Sequence, residues 1–468
     1  MFSHFVVPIV FRDRFFVFNS FRFPHNRTLF LQFVSMFKKL LFSAFIFGFA
    51  VPGRGETLVF PPYGHSYGIR KATPKHLFMF FGPVTFFDDP QGLATAKMDS
   101  RDDPSTEKDD DEVVVYGVNS GRHQLIYNTS MWTLGLYGKK GSGRDEFLDP
   151  RGVTTNARGH VFVADRGNNR IVHLFNPEKE VRWVKAFDGS KGGGPKLRSP
   201  ERVALGAQGK VYVTDPGNRR IVVFDTSGVV ARTIPRPGAT MFEKGPTAIA
   251  VADGRMKWSY FNKDRLILCA DKGGRRLWKI KFDGSVIRKI TMPSNHRAEY
   301  AAVDYYHNLW VTDKENHCIL KFDHNLELLD VFGSYGTKDN QFVEPRGIAI
   351  WKRYGQTFIA EKKGAQYYWI GTELQSKDFE RKSPNVYELT VDCTEYSYVS
   401  LFKATESDTS FLVKKRRILP GGTSLTVKDR KNIVEKGPLT LRIEPTYSSY
   451  TYFHWDYPVT TQTKRTAE

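Results

Sequence analysis

A chain of 468 residues, 40% hydrophobic and 14% aromatic, can bury two or three cores, which excludes a disordered or fibrous polypeptide. Cys269, Cys318 and Cys393 are widely spaced, with no Cys-x-x-Cys or Cys/His ligand pattern. That excludes a disulfide framework and leaves room for one bridge at most. The formal charge is +19; residues 1–55 hold seven Lys/Arg against one Asp, or +6, so +13 falls on the remainder and an anionic partner stays in view.

In chain order, residues 1–35 are a Phe- and Arg-rich stretch without periodicity, read as an atypical or non-native lead ahead of Met36. In residues 36–55, Lys38 and Lys39 precede the apolar run Leu40–Phe49, followed by small residues and a turn. This is the pattern of a signal peptide, and the run is short of the ~20 residues a membrane span needs. Export follows, with no transmembrane segment other than an uncleaved form of that signal. The stretch PKHLFMFFGPVTFFDDP, starting at Pro74, parallels LELLDVFGSYGTKDNQFVEP, which leads into the last repeat described next. It is therefore expected to supply His76–Phe81 as the outer strand of the last repeat, closing a ring from the N-terminal side.

From Pro90 the chain repeats itself. Pro150–Phe175 has three period-two apolar runs separated by turns rich in Gly and Asn, the mark of a small antiparallel meander. Pro200–Phe224 matches it turn for turn. Weaker copies lie at Gly245–Phe282, with an insert around Trp258–Lys263, at Glu299–Phe322 and at Pro345–Ile370; an early copy, Pro90–Tyr127, carries the acidic insert Asp99–Glu112. One equivalent position is held by Asn119, Asp165, Asp215, Asp271, Asp313 and Glu361, spaced by 46, 50, 56, 42 and 48 residues. Six units of such a period make one repeat architecture.

VFVADRGNNRIVHLF, VYVTDPGNRRIVVF, LILCADKGGRRLWKIKF and LWVTDKENHCILKF resemble the NHL-repeat family. The first and sixth copies depart from the pattern: neither has the Asp, and the sixth also lacks the Arg. The resemblance implies an all-β fold, a six-bladed β-propeller over residues 74–371 with four strands per blade. Members of this family bind proteins or RNA, and some six-bladed relatives are hydrolases or lyases with a metal in the channel.

After Gly371 the pattern changes. Residues 372–384 read as a polar linker, and short strand patterns over 385–458 indicate a small β-sandwich, which resembles the Ig-like modules of secreted bacterial proteins. Residues 459–468 read as a loose tail.

The repeated carboxylates Asp165, Asp215, Asp271 and Asp313, with Arg170 and Arg220 and with Asn168 and Asn218, are expected to brace turns, since every unit needs the same turn. The loops on one face would carry Arg151, Arg166, Arg202, Arg219, Lys272, Arg275, Lys314, His317, Arg346, Lys362 and Lys363. Arg151, Arg202 and Arg346 are taken as one rim position just after Pro150, Pro200 and Pro345. The opposite loops carry Arg158, Lys210, Lys263 and the acidic insert. Such segregation favours an anionic partner. The histidines His123, His160, His173, His296, His307 and His317 show no convergent set, so no catalytic residue, metal or cofactor is assigned.

The expectation is an exported, monomeric, non-catalytic binding or scaffold protein that meets a protein or an anionic polysaccharide of the cell envelope. The alternatives are a hydrolase or lyase with a channel metal, and a nucleic-acid-binding propeller, the latter disfavoured by export and by the scarcity of aromatics in the loops.

Overall fold

The computed structural model describes residues 10–11, 14–15, 56–60, 70–101, 113–130, 133–191, 195–271, 273–405, 408–447 and 453–461. The expected signal peptide, nearly all of the lead, most of the acidic insert, Lys272 and residues 462–468 lie outside them. The chain divides into two units, Met1–Val51 and Pro52–Glu468. In the first, Val10–Phe11 pairs antiparallel with Arg14–Phe15.

In the second unit, five four-stranded antiparallel meanders follow one another. The first comprises Pro90–Lys97, Val113–Asn119, Gln124–Ser130 and Thr133–Tyr137. The second is Pro150–Thr155, His160–Asp165, Arg170–Phe175 and Arg182–Phe187. The third is Val203–Leu205, Val211–Asp215, Arg220–Phe224 and Val230–Ile234. The fourth is Pro246–Asp253, Arg265–Asp271, Arg276–Lys281 and Val286–Thr291. The fifth is Tyr300–Val303, Leu309–Asp313, Cys318–Phe322 and Leu328–Phe332.

A sixth sheet has Ile348–Trp351, Gln356–Glu361 and Gly364–Ile370. Its outer edge comes from the N-terminal side in two pieces: Leu58 pairs with Ile370 and Ala72 with Ala365. The expected strand His76–Phe81 is instead part of a helix, Pro74–Phe81. The reason is local. Thr73 is extended and caps the helix, Pro74 presets its first turn, and the Thr73 backbone N–H donates to His76 Nδ1 at 3.1 Å.

Second and third strands are largely apolar and mostly buried on both faces, because each sheet is packed between neighbours. Phe162 and Ile171 of the second sheet share a core with Val213 and Phe224 of the third, and Trp310 of the fifth shares one with Ile350, Tyr368 and Leu58 of the sixth. Outer strands such as Arg182–Phe187 alternate between exposed and partly or fully buried positions. The six first strands line one central cavity of about 160 Å³.

Two glycines show how closely those first strands approach. A Cβ on Gly152 would lie 2.7 Å from Arg202 Cα, and one on Gly347 would lie 2.2 Å from the Gln91 carbonyl oxygen. The Pro-x-Gly opening of a repeat therefore answers to its neighbour's backbone.

The C-terminal strands form two sheets. Leu374–Ser383, Val386–Cys393 and Gly421–Lys428 make one; Thr409–Ile418, Ser397–Ala404, Leu439–Pro445 and Trp455–Val459 make the other, in that spatial order. Leu389, Val391, Val399, Leu401, Leu441 and Ile443 fill the space between them. The expected linker 372–384 is thus largely a strand. Of the strand Leu374–Ser383, only Leu374 and Phe379 are buried; its charged residues decorate an edge, which keeps that edge from pairing with other chains. All three cysteines are buried free thiols.

Candidate functional site

In every sheet but the fourth, the repeat residue ties the second turn to the connection that precedes the sheet. Asp165 accepts from the Leu148 N–H at 2.7 Å, from Asn168 Nδ2 at 2.8 Å and from Arg170 Nε at 2.7 Å. Asp215 does the same with the Arg198 N–H, Asn218 and Arg220. Asn119 and Glu361 receive the N–H groups of Asp88 and Val343, while Asp271 receives that of Arg276. At Asp313, where the chain has Cys318 in place of the Arg, His296 Nδ1 comes within 2.9 Å of the carboxylate instead. His296, Asp313 and Cys318 stand near one another, but Asp313 also receives the Arg297 N–H and Asn316 Nδ2, so its oxygens are occupied by the turn.

Most of the cations expected on the rim are paired with carboxylates. Arg151 pairs with Asp89 and Asp149, Arg166 with Asp149 and Glu201, Arg346 with Asp89 and Glu344, Lys314 with Glu299 and Lys362 with Glu344. Arg275 bonds the carbonyls of Ser294 and His296, whereas Arg219 and Lys363 are exposed. Arg202 does not share the position of Arg151 and Arg346. It sits one residue further along, level with Gly152 and Gly347, and period-two alternation turns it inward. There its guanidinium lies 3.6 Å above the Tyr300 ring, paired with Glu201 and Glu299. Tyr300 in turn donates to Gln91 Oε1 and the Arg151 carbonyl, both at 3.1 Å. Four sheets thus close the cavity end where the first strands begin.

At the other end lies a cluster that sequence reasoning missed. The connection Gly254–Asp264 of the fourth sheet is longer than those of the second, third, fifth and sixth sheets and reaches the fifth, where the Tyr260 N–H donates to the Tyr305 carbonyl at 2.9 Å. Ser259 Oγ stands 2.5 Å from His307 Nε2, and His307 Nδ1 stands 2.7 Å from Asp264 Oδ2. His324 Nε2 reaches the same carboxylate oxygen at 2.7 Å. His307 occupies the left-handed position of the tight turn Asp304–Asn308, and Phe261 packs its ring 4.2 Å from that of His324.

An ionised carboxylate only accepts, so His307 carries its proton on Nδ1 and His324 on Nε2. His307 Nε2 is then a lone pair facing the Ser259 hydroxyl. Burial lowers the His307 pKa to about 4, against the hydrogen bond it donates to Asp264, so the ring is neutral near pH 7. Burial alone would raise Asp264; the bonds to His307 and His324 outweigh it and hold the carboxyl below its usual range. Lys352, which lines the central cavity, has its amine lowered to about 8 by burial and is close enough to His307 to disfavour a second charge there. A hydroxyl, an imidazole and a carboxylate in line form a nucleophile, a base and an orienting group. The only trace of the cluster in the sequence is the insert around Trp258–Lys263; Ser259, Asp264, His307 and His324 belong to no contiguous motif.

Similar solved structures include a streptogramin B lyase (17% identity, TM-score 0.39, covering 55% of this chain and 75% of that one). Others are the virginiamycin B lyase of Staphylococcus aureus (17%, 0.40, 55% and 77%) and a gluconolactonase of Xanthomonas campestris (12%, 0.41, 68% and 96%). At these scores they carry no argument about activity. Among curated proteins, none matches the chain. The family model of the NHL repeat matches residues 147–174, which take in the first two strands of the second sheet and most of the third, so this stretch of the meander array is an NHL repeat.

Proposed function

We propose that this is an exported protein built as a six-bladed NHL propeller with an Ig-like module, and that it hydrolyses esters with Ser259 as nucleophile. The observation that carries the reading is the in-line arrangement of Ser259, His307 and Asp264. Ser259 Oγ attacks the ester carbonyl carbon while His307 Nε2 takes the hydroxyl proton, and the carbonyl π electrons move onto oxygen. The tetrahedral species collapses, the C–O bond to the alcohol breaks, and His307 returns the proton to the leaving alkoxide. Water repeats the cycle and frees Ser259. Asp264 holds the His307 tautomer and stabilises its transient charge.

The six-bladed reading is supported by the backbone of Gly347 in the sixth sheet packing on Gln91 in the first. The Ig-like reading is supported by the order of the seven C-terminal strands, 1-2-5 in one sheet and 4-3-6-7 in the other. The function expected from the sequence, non-catalytic capture of a protein or anionic glycan by the basic rim, loses support because carboxylates already occupy most of those cations. An active-site-directed fluorophosphonate tests the proposal. Mass spectrometry is expected to find the adduct on Ser259 in the wild type and none in Ser259→Ala or His307→Gln of unchanged circular dichroism. An unlabelled wild type, or labelling that persists in Ser259→Ala, overturns it.

A further inference from the structure

We propose that Asp264, His307 and His324 also form a binding site for a divalent transition-metal ion of the zinc type, and that its occupancy reverses the His307 tautomer. The consequence for Ser259 rests on the hydrolase reading above; the metal site does not. Asp264 Oδ2, His307 Nδ1 and His324 Nε2 all lie within 4.8 Å of one another. Each comes from a different loop: the long connection of the fourth sheet, the first turn of the fifth and the last turn of the fifth. These loops are held independently of the cluster. The Asp304 carboxylate accepts the Tyr306 and Asn308 N–H groups and fixes the His307 turn. Lys279 Nζ bonds the His324 carbonyl at 2.6 Å, and the Asp264 N–H donates to the Phe261 carbonyl. The ligands are therefore set before any ion arrives.

Two imidazoles and one carboxylate suit zinc rather than magnesium or calcium, which prefer oxygen shells. Three protein ligands leave one tetrahedral position for water. His307 is buried, but the His324 side chain is 24% exposed, which gives an ion access from solvent.

A metal needs a lone pair where the cluster alone has protons. With an ion on His307 Nδ1, the proton of the neutral ring must reside on Nε2, which then faces Ser259 Oγ as a donor. His324 likewise presents a lone pair at Nε2 to the ion, with its ring proton on Nδ1. An Nε2–H cannot accept the serine proton. With metal bound, His307 is no longer a base for Ser259; without it, His307 is one. The same three atoms serve either state, and the two exclude each other.

The test is a titration of metal-free, full-length protein, ¹⁵N-labelled in its histidine rings, with Zn²⁺ alone. One equivalent is expected to bind, with His307 changing from the Nδ1–H to the Nε2–H tautomer in the ¹⁵N spectrum. His324→Gln is expected to weaken binding at least ~10-fold and to leave the Nδ1–H tautomer in place. Ser259→Ala is expected to bind zinc as the wild type does. Equal binding by His324→Gln and the wild type, or bound zinc with an unchanged His307 tautomer, overturns the proposal. Failure of fluorophosphonate labelling with zinc binding intact sinks the hydrolase reading alone.

Discussion

Lys321 offers the sharpest test of how the C-terminal strands are attached to the fifth sheet. Its ammonium donates to Glu395 Oε2 at 2.6 Å and the Thr394 carbonyl at 2.5 Å, and lies 4.7 Å from the centre of the Trp310 ring. Asp304 completes the group, accepting from Tyr306, Asn308 and Trp310. Lys321, Asp304 and Glu395 are all at most 1% exposed. Asn308 Nδ2 touches both carboxylates. Lys321→Met would leave two buried carboxylates with no cation between them, a cost of about 3–5 kcal/mol. That is a large share of a total stability of ~5–15 kcal/mol.

The cost should depend on pH. Burial raises both carboxyls, Glu395 to about 7, against the pull of Lys321. A raised folded pKa means the fold keeps protons that the unfolded chain releases near pH 4.5. This contribution is therefore full below that pH and is lost as pH rises through about 7. Without Lys321 the loss should steepen. Urea unfolding at about pH 5 and about pH 8 measures it, and adding Asp304→Asn and Glu395→Gln to the methionine variant should recover most of the difference. A Lys321→Met protein as stable as the wild type at the higher pH refutes the reasoning.

Asp215→Ala removes the acceptor of three donors at a site with no exposure and should cost about 3 kcal/mol in denaturant unfolding; a change under ~0.5 kcal/mol would show that the repeated carboxylate does not brace its turn. For export, N-terminal sequencing of protein from its native host should begin between Ala50 and Glu56, and an intact Met1 in a cytosolic fraction would contradict it.

What could be read in advance followed from repetition. Asp165 and Asp215 recur because each meander needs the same brace, and period-two runs such as VFVAD give the strand directly. The reading failed where one residue or one local bond decided the outcome. Arg202 was displaced by a single position from Arg151, and in a strand that turns a rim cation into a channel plug. Thr73 and Pro74 made a helix of a Phe-rich run that looks like a strand by composition. Residues 374–383 hid an edge strand behind its own charges. The Ser259 cluster was beyond reach for a different reason: its members come from separate loops, and only the packing of the fourth sheet against the fifth brings them together.

The split outer edge of the sixth sheet has a consequence for synthesis. Leu58 is among the first residues of its unit to be made, yet its partner Ile370 lies 312 positions on. At ~5–20 residues per second, the edge strand waits roughly 15–60 s for the sheet it completes. Throughout that interval every nascent molecule carries an unmatched strand at its front and an unfinished sheet at its back. Two such chains held side by side could each complete the other, so crowded synthesis should favour exchanged dimers over aggregates of unrelated sequence.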